Sequence, residues 1–108
     1  MRIEKVNEVI RVELAQILLS EGVFGPGVMV TVQRIATSDT LEHATVWISV
    51  LPEGKEGTVL TLLRENIADI QKKLNRRLEM RFVPKIVFKI DESVKAVKVV
   101  EEILGSLE

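Results

Sequence analysis

The sequence predicts an α+β fold in which a three-stranded mixed sheet is covered by helices on one face. Apolar residues recur at three- and four-residue spacing over residues 3–21 and 56–78, the period of amphipathic helices. They alternate with polar residues over residues 28–36, 44–50 and 81–90, the period of half-buried strands. A chain that runs helix, strand, strand, helix, strand satisfies both patterns with one sheet and one helical layer. Its 108 residues suffice for a single domain.

The N-terminal helix and the two strands after it are defined by short apolar repeats. The apolar stripe of the helix contains Ile3, Val6, Val9, Ile10, Leu14, Ile17 and Leu18. The inward positions of the two strands are Val28, Val30 and Val32, then Ala44, Val46, Ile48 and Val50. The polar segment TSDTLEH joins the strands. Because this connection is short, we expect the two strands to pair in antiparallel fashion.

The remaining elements are a long helix, a third strand and a short C-terminal helix. The apolar stripe of the long helix contains Leu60, Leu63, Ile67, Ile70, Leu74 and Leu78. The core-facing positions of the third strand are Phe82, Pro84, Ile86, Phe88 and Ile90. Because Pro84 has no amide donor and a helical crossover precedes it, we expect an edge strand, or one that pairs only after Pro84, parallel to its neighbour. Ser93 is predicted to cap a helix that ends near Leu104.

Composition argues against most enzyme classes. The chain has no cysteine and a single histidine, His43, so a thiolate or multi-histidine metal site is excluded. It also lacks a glycine-rich phosphate loop, and we expect no metal, no cofactor and no small-molecule substrate. A small hydrolase with an acidic site is the weakest hypothesis, because the grouped carboxylates fit solvated helix faces. These carboxylates belong to Glu4, Glu8, Glu101 and Glu102.

Nothing in the sequence predicts association with a membrane. There is no run of about 18 apolar residues. Residues 1–20 mix charged and apolar side chains at helical spacing, unlike the apolar centre of a signal peptide. We therefore expect a cytoplasmic protein. We also expect a monomer, because no apolar face is left over once both long helices pack on the sheet.

Basic residues are concentrated where the long helix ends. Residues 69–81 hold five basic and two acidic side chains, although the net charge of the chain is −1. At about 100° per residue, one solvent-facing arc of the helix contains Lys72, Lys73, Arg76 and Arg77. Such an arc can follow RNA phosphates; Asn66 could add a hydrogen bond, whereas Asp69 interrupts the arc. The alternative is a solvated helix end whose cations interact favourably with the helix dipole.

Trp47 is the second candidate for a binding role. Its neighbours Val46 and Ile48 take the core face of the second strand, so Trp47 is predicted on the opposite face of the sheet. An exposed indole there could stack on a base. It could also cover the sheet beneath another segment, or contact a protein partner. The alternative function is therefore a protein-interaction module that uses the open sheet face around Trp47.

Three stretches, in this order and spacing, resemble one known family. They are TSDTLEHATVWISVL at residues 37–51, LRENIADIQKKLNRRLEMRFVPKIVF at residues 63–88, and DESV at residues 91–94. Together they are similar to ribosome-binding factor A, a family of bacterial assembly factors of the small ribosomal subunit. The resemblance extends over nearly the whole chain.

The resemblance implies a type II KH-like fold of order α-β-β-α-(kink)-α-β, with residues 1–108 as a single KH-like RNA-binding domain. It implies a protein that is not an enzyme and that uses no cofactor. The implied partners are the immature 30S ribosomal subunit and the 16S rRNA precursor. The implied role is assistance in late maturation, including 5′-end processing of the precursor, with a link to cold adaptation.

The interhelical kink of the family, typically Ala-x-Gly, falls on Asn66, Ile67 and Ala68. Because no glycine is present there, we expect a milder kink near residues 66–69 or a nearly continuous helix. The Asp-Pro-Arg of the family after the first helix is also absent, and Gly25-Pro26-Gly27 occupies that region. The complete predicted RNA-binding set is Arg64, Asn66, Ile67, Ala68, Lys72, Lys73, Arg76, Arg77 and Arg81.

Overall fold

The predicted order of helices and strands is confirmed. The computed structural model describes residues 2–21 and 24–93. The elements are α1 (Ile3–Glu21), β1 (Met29–Thr37), β2 (His43–Leu51), α2 (Glu56–Glu65), α3 (Ile67–Arg77) and β3 (Lys85–Ile90). The C-terminal helix predicted from Ser93 to about Leu104 lies almost entirely outside the described residues. Among residues 2–21 and 24–93, no helix has the length and apolarity that a bilayer span requires.

The sheet is mixed and has β2 at its centre. Strand β1 pairs with β2 in antiparallel fashion, and β3 pairs with β2 in parallel fashion, as predicted. Along β2 the even-numbered residues from Ala44 to Val50 are buried. The register of β1 shifts between Val32 and Arg34, and this irregularity sets Arg34 opposite Trp47.

The third strand is shorter than predicted. It begins at Lys85 rather than Arg81, and its first link to the hairpin is a 2.9 Å hydrogen bond from the Lys85 amide to the Glu42 carbonyl. Pro84 has no amide to donate, so ladder pairing cannot begin before it. The assignment of Phe82 to the core-facing side is wrong, because this side chain is 75% exposed. The predictions of an edge strand and of pairing only after Pro84 are confirmed.

The predicted helix over residues 56–78 is interrupted at Asn66, the first residue of the predicted kink. The backbone of Asn66 has φ −106° and ψ 8°, and its amide hydrogen-bonds the carbonyls of both Leu62 and Leu63. Its side-chain amide also donates to the Leu62 carbonyl, at 2.7 Å. Asparagine can satisfy terminal carbonyls of a helix in this way, so the break forms without glycine. Helical bonding resumes with the Ile70 amide, 3.0 Å from the Asn66 carbonyl.

The hydrophobic core lies between the sheet and one helical layer. Helix α1 contacts β1 and α3, and α2 contacts β2 and β3. The fully inaccessible residues of this core include Val6, Ile10, Leu14, Ala44, Val46, Ile48, Leu63, Ile70 and Leu74. Since the helices gather on this face, the opposite face of the sheet has no helix packed against it among the described residues. The prediction of helices on one face is confirmed.

Candidate nucleic-acid interface

Helix α3 presents two unpaired cations on its solvent-facing side. Ile70 and Leu74 are fully buried, and this anchoring turns Lys72 and Arg76 outward, where both are exposed. Within residues 2–21 and 24–93, no ion pair or hydrogen bond engages either of these two side chains. Ala68, Lys72 and Arg76 follow at four-residue spacing and therefore lie on one face of α3.

The other two cations of the predicted arc are engaged within the protein. The Lys73 ammonium lies 3.1 Å from a carboxylate oxygen of Asp69, one helical turn away. The Arg77 guanidinium donates to Glu13 at 3.2 Å and to Gln16 at 3.0 Å, and so links α3 to α1. The arc of four cations is therefore divided into an outward pair and a pair held by intramolecular contacts.

The other predicted residues lie at the two ends of α3. Arg64 is exposed in the last turn of α2, Ile67 is half-buried, and Ala68 is exposed. The half-buried Asn66 uses one of its amide hydrogens to cap α2, so its side chain has a structural role. Arg81 is exposed in the segment after α3, with its guanidinium carbon 5.4 Å from the centre of the Phe82 ring.

Gln71 fixes α3 against the edge strand, a role that the sequence pattern did not indicate. Its side-chain amide donates to the Pro84 carbonyl at 3.0 Å, and its carbonyl oxygen accepts from the Ile86 amide at 3.0 Å. The same amide lies 3.0 Å from the Asn75 side-chain oxygen. Gln71 thus occupies two backbone groups on the outer edge of β3 and ties α3 to that edge.

The role of Gln71 predicts a loss of stability when its amide is removed. We expect Gln71→Met to lower the free energy of unfolding by about 1–3 kcal/mol, because two backbone groups lose their partner while the volume is retained. Urea denaturation measures this change. As the matched control, Asn75→Ala removes only the exposed hydrogen bond and should stay within about 0.5 kcal/mol of the parent protein. Equal stability of Gln71→Met and the parent would contradict this role.

Trp47 lies on the open face of the sheet, as predicted. The Arg34 guanidinium carbon is 4.4 Å from the centre of the indole ring, and the Lys89 ammonium is 5.7 Å from it. Both distances are within the range of cation–π contacts. The indole nitrogen is inaccessible and has no hydrogen-bond partner among the described residues. A base could stack on this ring only after displacing Arg34 or Lys89, so the two cations disfavour direct stacking there.

No residues in the described part of the chain form an evident reaction centre. Residues 2–21 and 24–93 hold no group of three or more side chains that could ligate a metal ion. His43 is exposed at the start of β2. Glu4 and Glu8 are exposed on α1, and a hydrogen bond from Arg11 together with its charge lowers the pKa of the Glu8 carboxyl. The prediction that these two carboxylates belong to a solvated helix face is confirmed. Glu101 and Glu102 lie outside the described residues.

Residues 2–104 match the family described as ribosome-binding factor A. The chain belongs to this family. A ribosome-binding factor A from Geobacter metallireducens is 34% identical over 98% of the chain and 91% of its own length. One from Natranaerobius thermophilus is 40% identical over 88% of the chain and 73% of its own length. The family is one of ribosome-binding factors and is not a known enzyme family.

Solved structures of ribosome-binding factor A share this fold. The crystal structure from Thermus thermophilus has a TM-score of 0.71 at 20% identity, and the match spans 83% of this chain and 97% of that one. A homology model of the Thermus thermophilus protein, fitted into a cryo-electron microscopy map of a 30S complex, has a TM-score of 0.65 at 22% identity; this match spans 78% of this chain and 89% of that one. At these identities the likeness establishes the fold, and the predicted KH-like class is confirmed.

Proposed function

We propose that this chain is a ribosome assembly factor that binds the 30S subunit through ribosomal RNA. The observation that carries the proposal is the pair of outward cations on α3, Lys72 and Arg76, which have no partner among residues 2–21 and 24–93. Family membership supports it, as does the 30S complex of the Thermus thermophilus relative. A ribosomal partner implies a cytoplasmic protein.

The family resemblance supports a more specific role for the chain in maturation of the subunit. The chain binds the immature 30S subunit, contacts its 16S rRNA and assists late maturation, including processing of the precursor 5′ end. Residues 1–108 act as one KH-like RNA-binding domain and as a monomer. Catalysis has no part in this role, and neither a cofactor nor a metal is required.

The charge distribution suits selective binding to RNA. Each contact between a cation and a phosphate releases a counterion, so an exposed pair of cations contributes affinity that depends on salt. The net charge of −1 keeps this contribution local and disfavours indiscriminate binding to nucleic acid. Affinity for the subunit must then come from the shape of the whole interface as well as from phosphate contacts.

We propose different roles for the members of the predicted RNA-binding set. We place direct phosphate contacts at Lys72, Arg76 and Arg81, with Arg64 beside the helix break. Ile67 and Ala68 allow close approach of RNA to the α2–α3 junction, because one is half-buried and the other is small. The remaining members, Asn66, Lys73 and Arg77, are engaged by contacts within the protein, and we assign them structural roles rather than contacts with RNA.

Co-sedimentation with ribosomal particles tests this function. The purified protein is centrifuged with immature 30S, mature 30S and 50S particles over a series of salt concentrations. We expect binding to be strongest for immature 30S particles and to weaken as salt rises. Failure to bind any particle at low salt would reject the proposed function and leave the family relationship as one of fold.

A further inference from the structure

A cavity of about 680 Å³ opens beside the predicted RNA-binding surface. One wall is the turn between β1 and β2, which contributes Leu41 and His43. The other wall is the segment between α3 and β3, which contributes Arg81 and Phe82. This second wall follows α3 directly along the chain, and it includes Arg81, a member of the predicted RNA-binding set.

The first wall is held by hydrogen bonds centred on Ser38. Its hydroxyl accepts from the Glu42 and His43 amides at 3.2 and 3.1 Å, and its carbonyl accepts from the Leu41 amide at 2.9 Å. Leu41 has φ 61°, the only positive value for a non-glycine residue in the described part of the chain. Such backbone strain persists only where surrounding contacts impose it, and it is common at ligand-binding positions. The wall is thus preformed.

The second wall presents an exposed aromatic ring. Phe82 is 75% exposed, whereas the alternating pattern of the sequence placed it in the core. The Arg81 guanidinium carbon lies 5.4 Å from the centre of this ring. The two walls are joined where the Lys85 amide donates to the Glu42 carbonyl at 2.9 Å. An exposed phenylalanine with one cation beside its ring, at the rim of a preformed cavity that Lys85 also lines, is an arrangement suited to stacking and phosphate binding.

We propose that this cavity binds one unpaired nucleobase of RNA, stacked on the face of the Phe82 ring that Arg81 leaves uncovered, with Arg81 and Lys85 meeting the adjoining phosphate. Glu42 and Glu79 also line the cavity, and their charge keeps phosphate to the side of the two cations. A carboxylate can accept a hydrogen bond from the amino group of a base, so these residues are compatible with a base in the cavity. The inference rests on the proposed function and adds to it a site that recognises a base as well as a phosphate.

The test compares three variants in binding to immature 30S particles. Stacking on an aromatic side chain contributes about 1–3 kcal/mol per base, so Phe82→Leu should weaken binding about five- to hundredfold. Phe82→Trp retains a stacking surface and should bind within about threefold of the parent protein. Leu19→Ala changes another exposed apolar residue, 87% accessible on α1, and serves as the control without effect.

Two further readouts separate stacking from other roles. Phe82→Leu removes no cation, so the slope of log affinity against log salt should not change, and the midpoint of urea denaturation should not move. Ultraviolet cross-linking of Phe82→Trp to the particles should attach residue 82 to rRNA.

If the parent protein binds and Phe82→Leu binds equally well, the nucleobase site is rejected while the proposed function stands. A cross-link from residue 82 to a ribosomal protein instead would also reject it. Absence of binding by the parent protein rejects the proposed function itself.

Discussion

Reversal of Lys72 and Arg76 to glutamate should reduce binding to immature 30S particles by about a hundredfold. Both side chains are exposed on one face of α3 and make no ion pair with any residue in the described part of the chain. Each charge-assisted hydrogen bond to phosphate contributes about 1.5–3 kcal/mol, and loss of two such contacts at the lower of these values gives about this factor. Equilibrium binding over a salt series measures it. The slope of log affinity against log salt should also become shallower by about two.

Arg77→Gln is the matched control for this double variant. Arg77 belongs to the same helix and carries the same charge, but its guanidinium is held by Glu13 and Gln16 of α1. We expect binding within about twofold of the parent protein and a loss of at most about 1 kcal/mol in stability, as for other exposed ion pairs. Glutamate is unsuitable at this position, because it would face Glu13 and destabilise the contact between α1 and α3. Unchanged binding by a folded Lys72→Glu, Arg76→Glu protein would remove α3 from the interface.

Leu74→Ala should cause one of the largest losses of stability from a single substitution. Leu74 has no accessible surface and lies on the buried side of α3, opposite the cations. Truncation of a buried leucine lowers the free energy of unfolding by about 2–5 kcal/mol, because apolar contact is lost and a cavity remains. The total free energy of unfolding of a domain of this size is about 5–15 kcal/mol, so the substitution removes a large part of its stability.

Urea denaturation of Leu74→Ala and of Leu19→Ala tests this prediction with the same chemical change at two degrees of burial. Leu19 is 87% exposed on α1, and its truncation should change stability by no more than about 0.5 kcal/mol. We also expect any loss of particle binding by Leu74→Ala to follow the fall in its folded fraction. Similar losses for the two variants would show that α3 does not pack on the core as described.

The periodic elements could be predicted because burial acts on each residue in turn. The stripe from Val6 to Leu18 and the alternation from Ala44 to Val50 appear in the sequence as they do in the core, except that Val9, assigned to the stripe, is 38% exposed. The parallel pairing of β3 followed from the helical crossover before it, and its late start followed from the missing amide of Pro84. These features depend on local pattern and chain connectivity alone.

The departures from prediction arise from contacts between residues distant in sequence. The bond from Arg77 to Glu13 joins positions 64 residues apart, so a helical wheel of α3 cannot show that this cation is paired. The contacts of Gln71 with Pro84 and Ile86 likewise depend on how α3 meets β3. Phe82 fits the alternating pattern of a strand. The strand begins only after Pro84, however, so Phe82 lies outside it and its ring remains exposed. The break at Asn66 is local, yet glycine is the usual signal for it, whereas a capping amide is not.

Directed hydroxyl-radical probing tests the central claim, that α3 contacts ribosomal RNA, most directly. The chain has no cysteine, so a single cysteine can carry an Fe(II)-EDTA label. Ala68→Cys places the label on the face of α3 that carries Lys72 and Arg76, and Leu19→Cys places it on an exposed part of α1. With both labelled proteins bound to immature 30S particles, we predict strong cleavage of a small set of 16S rRNA nucleotides from position 68 and weak cleavage from position 19. Weak cleavage from position 68, or equal cleavage from both positions, would contradict an RNA interface on α3.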